Sequence, residues 1–264
     1  MPDRLRKRCY YIVYWRSDVT DGRSRGAMIM TDGSLSRRRA FAILTAALAV
    51  GGCSVEDQTE GGRMLTTTGY GIQGAALPAP VEHGTVPLEQ TLARRRSIRD
   101  FTDDPIGVDT IGQLLWAAQG VTDAEGHRTA PSAGALYPLE TYVATREGLF
   151  HYDPQSHRLV RRAADPRTAI ARAAHDQDAV RSAPVVIVLA AVYERTATKY
   201  GGRAERYVHM EAGHAAQNVL LQATALRLGA VPVGAFDDDA IALALSLPRL
   251  ERPVYLIPVG HPRP

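Results

Sequence analysis

Two hydrophobic periods alternate along this 264-residue chain. Apolar residues recur every three to four positions after Asp109, which predicts a helix capped by Asp109 and ended by Gly120. The same period over residues 203–228 predicts one long helix that ends at Gly229. Because apolar residues surround much of this helix, we expect it to be buried between two subunits.

Extended segments accompany these helices. Strands are predicted at 139–146, 148–152, 157–161 and 254–259. Residues 184–192 are a continuous apolar run of strand length, which is typical of a central strand covered on both faces. Shorter helices are expected after Asp165-Pro166 and at Asp237 or Asp238. Helices grouped around a sheet predict the α+β class.

Charge separates an N-terminal head from the body. Residues 1–53 carry ten Lys/Arg and four Asp/Glu, whereas residues 54–264 carry 21 and 24, so the mildly acidic body gives no indication of nucleic-acid binding. In the head, Arg37-Arg38-Arg39 precedes an apolar run, 40–50, that is too short to span a bilayer. This pattern predicts an export signal. A buried helix that happens to follow arginines is the alternative.

The end of the apolar run specifies the kind of signal. The paired arginines resemble a twin-arginine signal, and residues 50–53, Val-Gly-Gly-Cys, resemble a lipobox in which Cys53 is acylated. We therefore expect an exported protein, lipid-anchored on the outer face of the cytoplasmic membrane or in the periplasm, with membrane contact through this anchor alone. A cytoplasmic location is the alternative.

Three parts follow from these patterns. Residues 1–53 are the N-terminal extension with its signal, and residues 54–86, rich in Gly, Thr, Ala and Pro, are predicted to be a flexible linker. Residues 87–264 form the folded domain. The chain has two cysteines, Cys9 and Cys53, so this domain contains no disulfide and no cysteine nucleophile.

Three motifs in the domain carry candidate chemistry. Residues 94–101, RRRSIRDF, place four guanidinium groups and a hydroxyl where they could cradle a phosphate. Residues 130–140, APSAGALYPLE, contain small residues that allow close backbone approach to a planar ring. Residues 229–238, GAVPVGAFDD, offer a second close approach of the main chain before a helix cap.

In this order and at these separations, the three motifs resemble the FMN-binding elements of the nitroreductase superfamily. More narrowly, they resemble its SagB/ThcOx-type dehydrogenases, which include azoline oxidases. The resemblance covers residues 87–260. It implies a central, mainly antiparallel sheet flanked by helices, and a homodimer with the long helix and FMN at its interface.

The resemblance also assigns cofactor contacts. Those expected to hold the phosphate or the N1–C2 edge of the ring are Arg95, Arg96, Ser97 and Arg99. Those expected to approach the ring are Pro131, Ser132, Ala133, Gly134, Val233, Gly234 and Ala235. The family often places Lys or Arg after the last strand, where this chain has His261, so Arg263 is the expected anion ligand.

Lys199 and Tyr200 are the candidate catalytic residues. Lys199 is the only lysine after Lys7 in a chain with 29 arginines, and unlike arginine it exchanges protons readily. The pair resembles the Lys-Tyr of azoline oxidases, which deprotonates the ring carbon as hydride leaves to FMN. A lone surface lysine is the alternative.

No metal site is expected. Glu211 and His214 form an E-x-x-H on the long helix, but it occurs once and has no further carboxylates at ligand spacing, so we interpret it as polar pairing. The predicted function is an FMN-dependent oxidoreductase that transfers hydride between flavin N5 and a small organic or peptide azoline-like substrate. The alternatives are an NAD(P)H-dependent nitro/quinone reductase and a non-catalytic flavin-binding lipoprotein.

Overall fold

The computed structural model describes residues 76–264, so the predicted export signal and most of the predicted linker lie outside the described residues. The helices are α1 (Leu88–Arg94), α2 (Val108–Gln119), α3 (Arg167–Ala173), α4 (Asp178–Ser182), α5 (Tyr193–Tyr200), α6 (Ala204–Ala225) and α7 (Asp238–Ala244). The strands are β1 (Leu139–Thr145), β2 (Gly148–Asp153), β3 (Arg158–Ala163), β4 (Val185–Ala191), β5 (Gly229–Ala230) and β6 (Arg252–Gly260).

The strands form one sheet in the order β3-β2-β1-β4-β6-β5, and every neighbouring pair is antiparallel. All seven residues of β4 are buried between β1 and β6, which confirms the predicted central strand. Alternate β4 side chains face opposite sides. Ile187 packs in a core that includes residues of α2 and α6, and Val188 packs in a core that includes residues of α3 and α7. The α+β class with a mainly antiparallel sheet is therefore confirmed.

The long helix α6 is present but ends earlier than predicted. It stops at Ala225 because Arg227 takes up a left-handed backbone (φ 59°), so the chain turns before Gly229 is reached. The apolar residues that suggested burial between subunits, Val208, Ala212, Ala215, Ala216, Val219, Leu220 and Ala223, are all buried within this one chain. They account for the core of the domain and are not evidence of an interface.

Three local features differ from the sequence-based expectations. Helix α2 starts at Val108, so Gly107 is at the N-cap position and Asp109 lies in the first turn. Helix α5 was not predicted. Residues at the end of the predicted linker pack on the domain: Leu77 is buried, and the Val81 backbone and the Gln113 amide hydrogen bond to each other in both directions.

Among the described helices, none is long and apolar enough to cross a bilayer.

Candidate functional site

The arginine motif lies against the edge of the sheet at β5. Ser97 forms a parallel bridge with Ala230, and the Ile98 N–H donates to the Ala230 carbonyl at 3.1 Å. A Cβ at Gly229 would stand 2.7 Å from Ile98 Cγ2, so only glycine permits this close approach. Backbone pairing therefore fixes the motif at one end of the sheet, which we call the arginine end.

The C-terminal segment joins the motif there. Phe101 forms a bridge with Pro262, and the Thr102 N–H donates to the His261 carbonyl at 2.9 Å. The Arg263 guanidinium donates to the Asp100 carboxylate (Nε–Oδ1 3.0 Å) and to the Phe101 carbonyl (2.8 Å). Arg263, the predicted anion ligand, thus lies beside the motif, but its Nε and one Nη already donate to acceptors within the chain.

The other arginines of the motif differ in how far they are engaged. Arg96 Nη1 donates to the carbonyls of Ala93 and Arg95, at 3.0 and 2.8 Å. The Arg95 and Arg99 guanidinium groups form no ion pair or hydrogen bond with residues 76–264, and Ser97 is exposed beside them. Two free guanidinium groups and a hydroxyl are a suitable donor set for a phosphate.

The third motif continues along the same sheet edge. Val233 forms a bridge with Leu256, and Gly234 lies beyond it, about 13 Å from Ala230 at roughly 3.3 Å per residue. Within the described chain, the N–H groups of Gly234 and Ala235 donate to no acceptor, while the Ala235 carbonyl accepts from Gln177 Nε2 at 2.7 Å. Free main-chain donors therefore lie on the same sheet edge as Ala230, the residue that pairs with Ser97 of the arginine motif.

The second motif forms a tight loop, residues 131–138, that leads into β1. The Tyr137 N–H donates to Ser132 Oγ at 2.9 Å and closes the loop around a 3-10 turn at Ala133–Ala135. Gly134 has φ 66°, and the non-glycine residues Ala135 and Tyr137 are also left-handed, with φ 54° and 46°. Side chains from α5 and from other neighbouring elements also contact this loop.

Lys199 and Tyr200 approach the loop from the end of α5. A Cβ at Gly134 would stand 2.9 Å from Lys199 Nζ and 3.0 Å from Tyr200 Oη. Tyr200 also packs edge-on against Tyr207, with ring centroids 5.0 Å apart. The predicted Lys-Tyr pair and the predicted ring-facing loop are therefore adjacent, at what we call the loop end of the sheet.

The two ends are far apart in one chain. Ala191, at the end of β4, pairs with Leu139 and Arg252, whereas Val185, at its start, pairs with Val259. Six residue steps along β4 separate these positions, or about 20 Å at roughly 3.3 Å per step. A single chain thus does not place the arginine motif beside the loop that carries Gly134.

Glu211 lies beneath the loop. It is 2% exposed, and burial raises its pKa to about 7, although the Ser132 hydroxyl and Arg128 oppose the shift. Its Oε1 has no hydrogen-bond partner in the described chain. His214, three residues on, is exposed. Glu211 and His214 therefore do not share one site, and Glu211 alone faces the loop.

Sequence reasoning missed two arginines at the loop end. Arg128 lies over the Tyr137 ring, 4.4 Å from its centroid, and donates to Gln119 Oε1 at 2.9 Å. Arg195 on α5 donates to the Tyr137 carbonyl at 3.0 Å and pairs with Glu140. Neither belongs to a spaced motif, so only the tertiary fold reveals them.

One group of potential metal ligands occurs in residues 76–264. Asp123, Glu125 and His127 offer atoms within 4.8 Å of one another, but all three are exposed. The Asp123 carboxylate already accepts from the backbone and ring nitrogens of His127. These contacts account for the cluster without a metal ion.

Comparison with known proteins identifies the family. The model described as the nitroreductase family matches residues 92–261. A Methanocaldococcus jannaschii protein that carries the name nitroreductase is 46% identical over 184 residues, which span 67% of this chain and 91% of that protein. The chain belongs to the nitroreductase family.

Solved structures agree with this assignment. A Ralstonia eutropha JMP134 protein named as a nitroreductase is 34% identical, with a TM-score of 0.65 over 72% of this chain and 89% of its own. Another solved structure, from Desulfovibrio desulfuricans, is named as a nitroreductase in complex with FMN. It is 26% identical, with a TM-score of 0.51 over 68% of this chain and 88% of its own.

Proposed function

We propose that this protein is an FMN-dependent oxidoreductase of the SagB/ThcOx-type dehydrogenase group. It would transfer hydride between flavin N5 and a small organic or peptide azoline-like substrate. The observation that carries the proposal is the approach of Lys199 Nζ and Tyr200 Oη to Gly134. A pair that can hold and move a proton stands beside the loop expected to face the flavin ring.

The donors along the sheet edge fit FMN. Arg95, Ser97 and Arg99 would hold the phosphate, and the free N–H groups of Gly234 and Ala235 would meet acceptors on the ring. When bound, FMN supplies the redox chemistry, and the protein supplies position and charge. Lys199 would take or give the proton at the substrate carbon, with Tyr200 orienting it.

We infer that the working unit is a homodimer. The arginine end and the loop end lie at opposite ends of one sheet, and this separation favours a second copy that supplies its loop. Leu88, Leu92 and Leu226 are 60%, 52% and 37% exposed. Leu88 and Leu226 also line a groove of about 630 Å³. Exposed apolar residues around a groove favour coverage by a partner.

The second candidate is an NAD(P)H-dependent nitro/quinone reductase. The name of the 46% identical relative favours it. In that case flavin alone would carry the chemistry and Lys199 would take no part in the reaction. In a third candidate, a flavin-binding lipoprotein, bound flavin would not turn over.

One experiment separates these candidates. The full-length protein is purified, its flavin is extracted and identified by mass, and flavin bleaching is followed with NADPH and with a thiazoline-containing peptide. Bleaching by the peptide supports the dehydrogenase. Bleaching by NADPH alone, with reoxidation by menadione or a nitroarene, supports the reductase. Flavin that neither donor reduces supports the non-catalytic protein, and absence of flavin contradicts all three.

We also propose export and lipid anchoring through Cys53, which lies outside the described residues. The twin arginines and the lipobox-like residues 50–53 support this. Cys53→Ser should abolish acylation and leave unprocessed precursor in cell fractions. Native protein recovered from the cytoplasm with its N-terminal head intact would contradict the proposal.

A further inference from the structure

Helix α5 carries Lys199 and Tyr200, so its placement against the loop at residues 131–138 decides where that pair stands. At its start, the Val192 N–H donates to the Pro138 carbonyl at 2.9 Å. Further along, Arg195 reaches from α5 to two acceptors. Nη1 donates to the Tyr137 carbonyl at 3.0 Å, and Nη2 donates to the Glu140 carboxylate. Arg195 thus connects the helix to both the loop and the start of β1.

Spacing along the helix links this contact to the catalytic candidates. Arg195 and Lys199 are four residues apart, so their side chains lie on the same face of α5. Fixing Arg195 against Tyr137 therefore restricts both the rotation and the translation of the helix turn that carries Lys199.

Glu140 is itself held in place. His151 Nε2 on β2 lies 2.7 Å from Glu140 Oε2, and the Glu140 side chain is 16% exposed. Burial opposes its ionisation, but hydrogen bonds from His151 and Arg195 outweigh burial and keep the pKa of Glu140 below its usual value. The carboxylate stays charged at neutral pH, and Arg195 therefore has a fixed, ionised partner.

We propose that Arg195 is a positioning residue that locks α5 to the loop at residues 131–138, so that Lys199 and Tyr200 stand over Gly134. The reaction that Lys199 and Tyr200 would carry out rests on the proposed function, but the contact between Arg195 and the loop does not. The planar guanidinium is required because it donates to two acceptors in a fixed geometry, which an ammonium group cannot do.

An ion pair with a half-exposed arginine contributes little to global stability in most proteins. The test therefore measures local opening. Hydrogen–deuterium exchange is followed in the full chain, without added flavin, for peptides that cover residues 131–138 and 193–200. The variants are Arg195→Ala, Arg195→Lys and Glu140→Gln. Arg206→Ala is the control, because Arg206 is an exposed arginine of α6.

Arg195→Ala should raise exchange in both peptides by about three- to tenfold, with Arg195→Lys intermediate and Arg206→Ala at the wild-type rate. With the thiazoline-containing peptide as substrate, kcat for flavin reduction should fall by about tenfold while the KM for the peptide stays unchanged. If Arg195→Ala does not fold, Glu140→Gln tests the same contact from the other side and should raise exchange in the same peptides.

Unchanged exchange in both peptides would overturn the lock. Raised exchange with wild-type kcat would overturn its role in positioning Lys199 and Tyr200. A wild-type protein with no flavin and no turnover would instead contradict the proposed function, and the exchange data would still decide whether Arg195 fixes α5.

Discussion

The arginine end and the loop end of the sheet are built in different ways. At the arginine end, backbone pairing of Ser97 and Phe101 fixes a segment in which the half-buried Arg95 and the exposed Arg99 have no partners in the described chain. At the loop end, side chains fix a loop over the buried carboxyl of Glu211. Guanidinium groups that are not fully buried bind an anion at a small desolvation cost, whereas burial raises the pKa of the Glu211 carboxyl to about 7. The first arrangement suits binding and the second suits proton chemistry.

The largest expected effect comes from breaking the proposed dimer, which would separate the arginine end of one protomer from the loop end of its partner. Leu88→Glu with Leu92→Glu would place charges on apolar residues that are more than half exposed in one chain. Four leucines across a two-fold interface, each 52% or 60% exposed in one chain, predict loss of roughly 3–7 kcal/mol of association free energy, at about 1.5–3 kcal/mol for a fully buried side chain. Light scattering should show monomers that have lost their flavin.

The matched control is Leu243→Glu on α7, where the leucine is 81% exposed on another helix. It should remain dimeric. A Leu88/Leu92 double variant that stays dimeric with full flavin content would show that these leucines are not part of the interface.

The second effect isolates the arginine end. Arg95→Ala with Ser97→Ala removes two phosphate contacts worth about 1.5–3 kcal/mol each, so FMN should bind roughly 10²- to 10⁴-fold more weakly. Quenching of FMN fluorescence measures the dissociation constant. Arg249→Ala, at an exposed arginine outside the motif, should bind FMN normally. Stoichiometric flavin in the double variant would make the cradle assignment wrong.

The third effect isolates the loop end. Lys199→Arg keeps the positive charge but removes ready proton exchange, so turnover of the azoline-like substrate should fall by about 10²-fold or more, the low end for a positioned acid–base group. Flavin content and melting temperature should not change. Near-wild-type rates would favour the nitro/quinone reductase, in which Lys199 takes no part.

The smallest effect concerns the carboxyl beneath the loop. Since the pKa of Glu211 is raised from 4.5 to about 7, its contribution to stability is full below pH 4.5 and is lost as pH rises through about 7. Glu211→Gln should therefore be more stable than wild type at pH 8 by about 3 kcal/mol, at roughly 1.4 kcal/mol per pKa unit.

Urea unfolding at pH 5 and pH 8 measures this difference. The variant should lose the pH dependence that wild type shows between those values, and Glu205→Gln, an exposed glutamate of α6, should retain it. Equal pH dependence in wild type and Glu211→Gln would mean that Glu211 does not titrate in this range.

Local signals in the sequence account for what could be predicted. The apolar run of β4 and the period of α6 require no tertiary information, and a contiguous motif such as 94–101 identifies its own location. The short helix α5 was missed because it is polar and takes its position from contacts with the loop and with α6. Arg128 and Glu211 could not be assigned to one site from the sequence, because they are far apart along the chain and only the fold brings them together.

Ala135 and Tyr137 hold left-handed backbone without being glycine, at a cost of about 1–2 kcal/mol each. Their conformation persists because the Ser132 hydroxyl accepts from the Tyr137 N–H and Arg195 holds the Tyr137 carbonyl. The strain is thus compensated before any ligand arrives. Under the proposed function, a loop preorganised in this way would lose little conformational entropy on binding the flavin ring, and it would act as a template rather than as a lid.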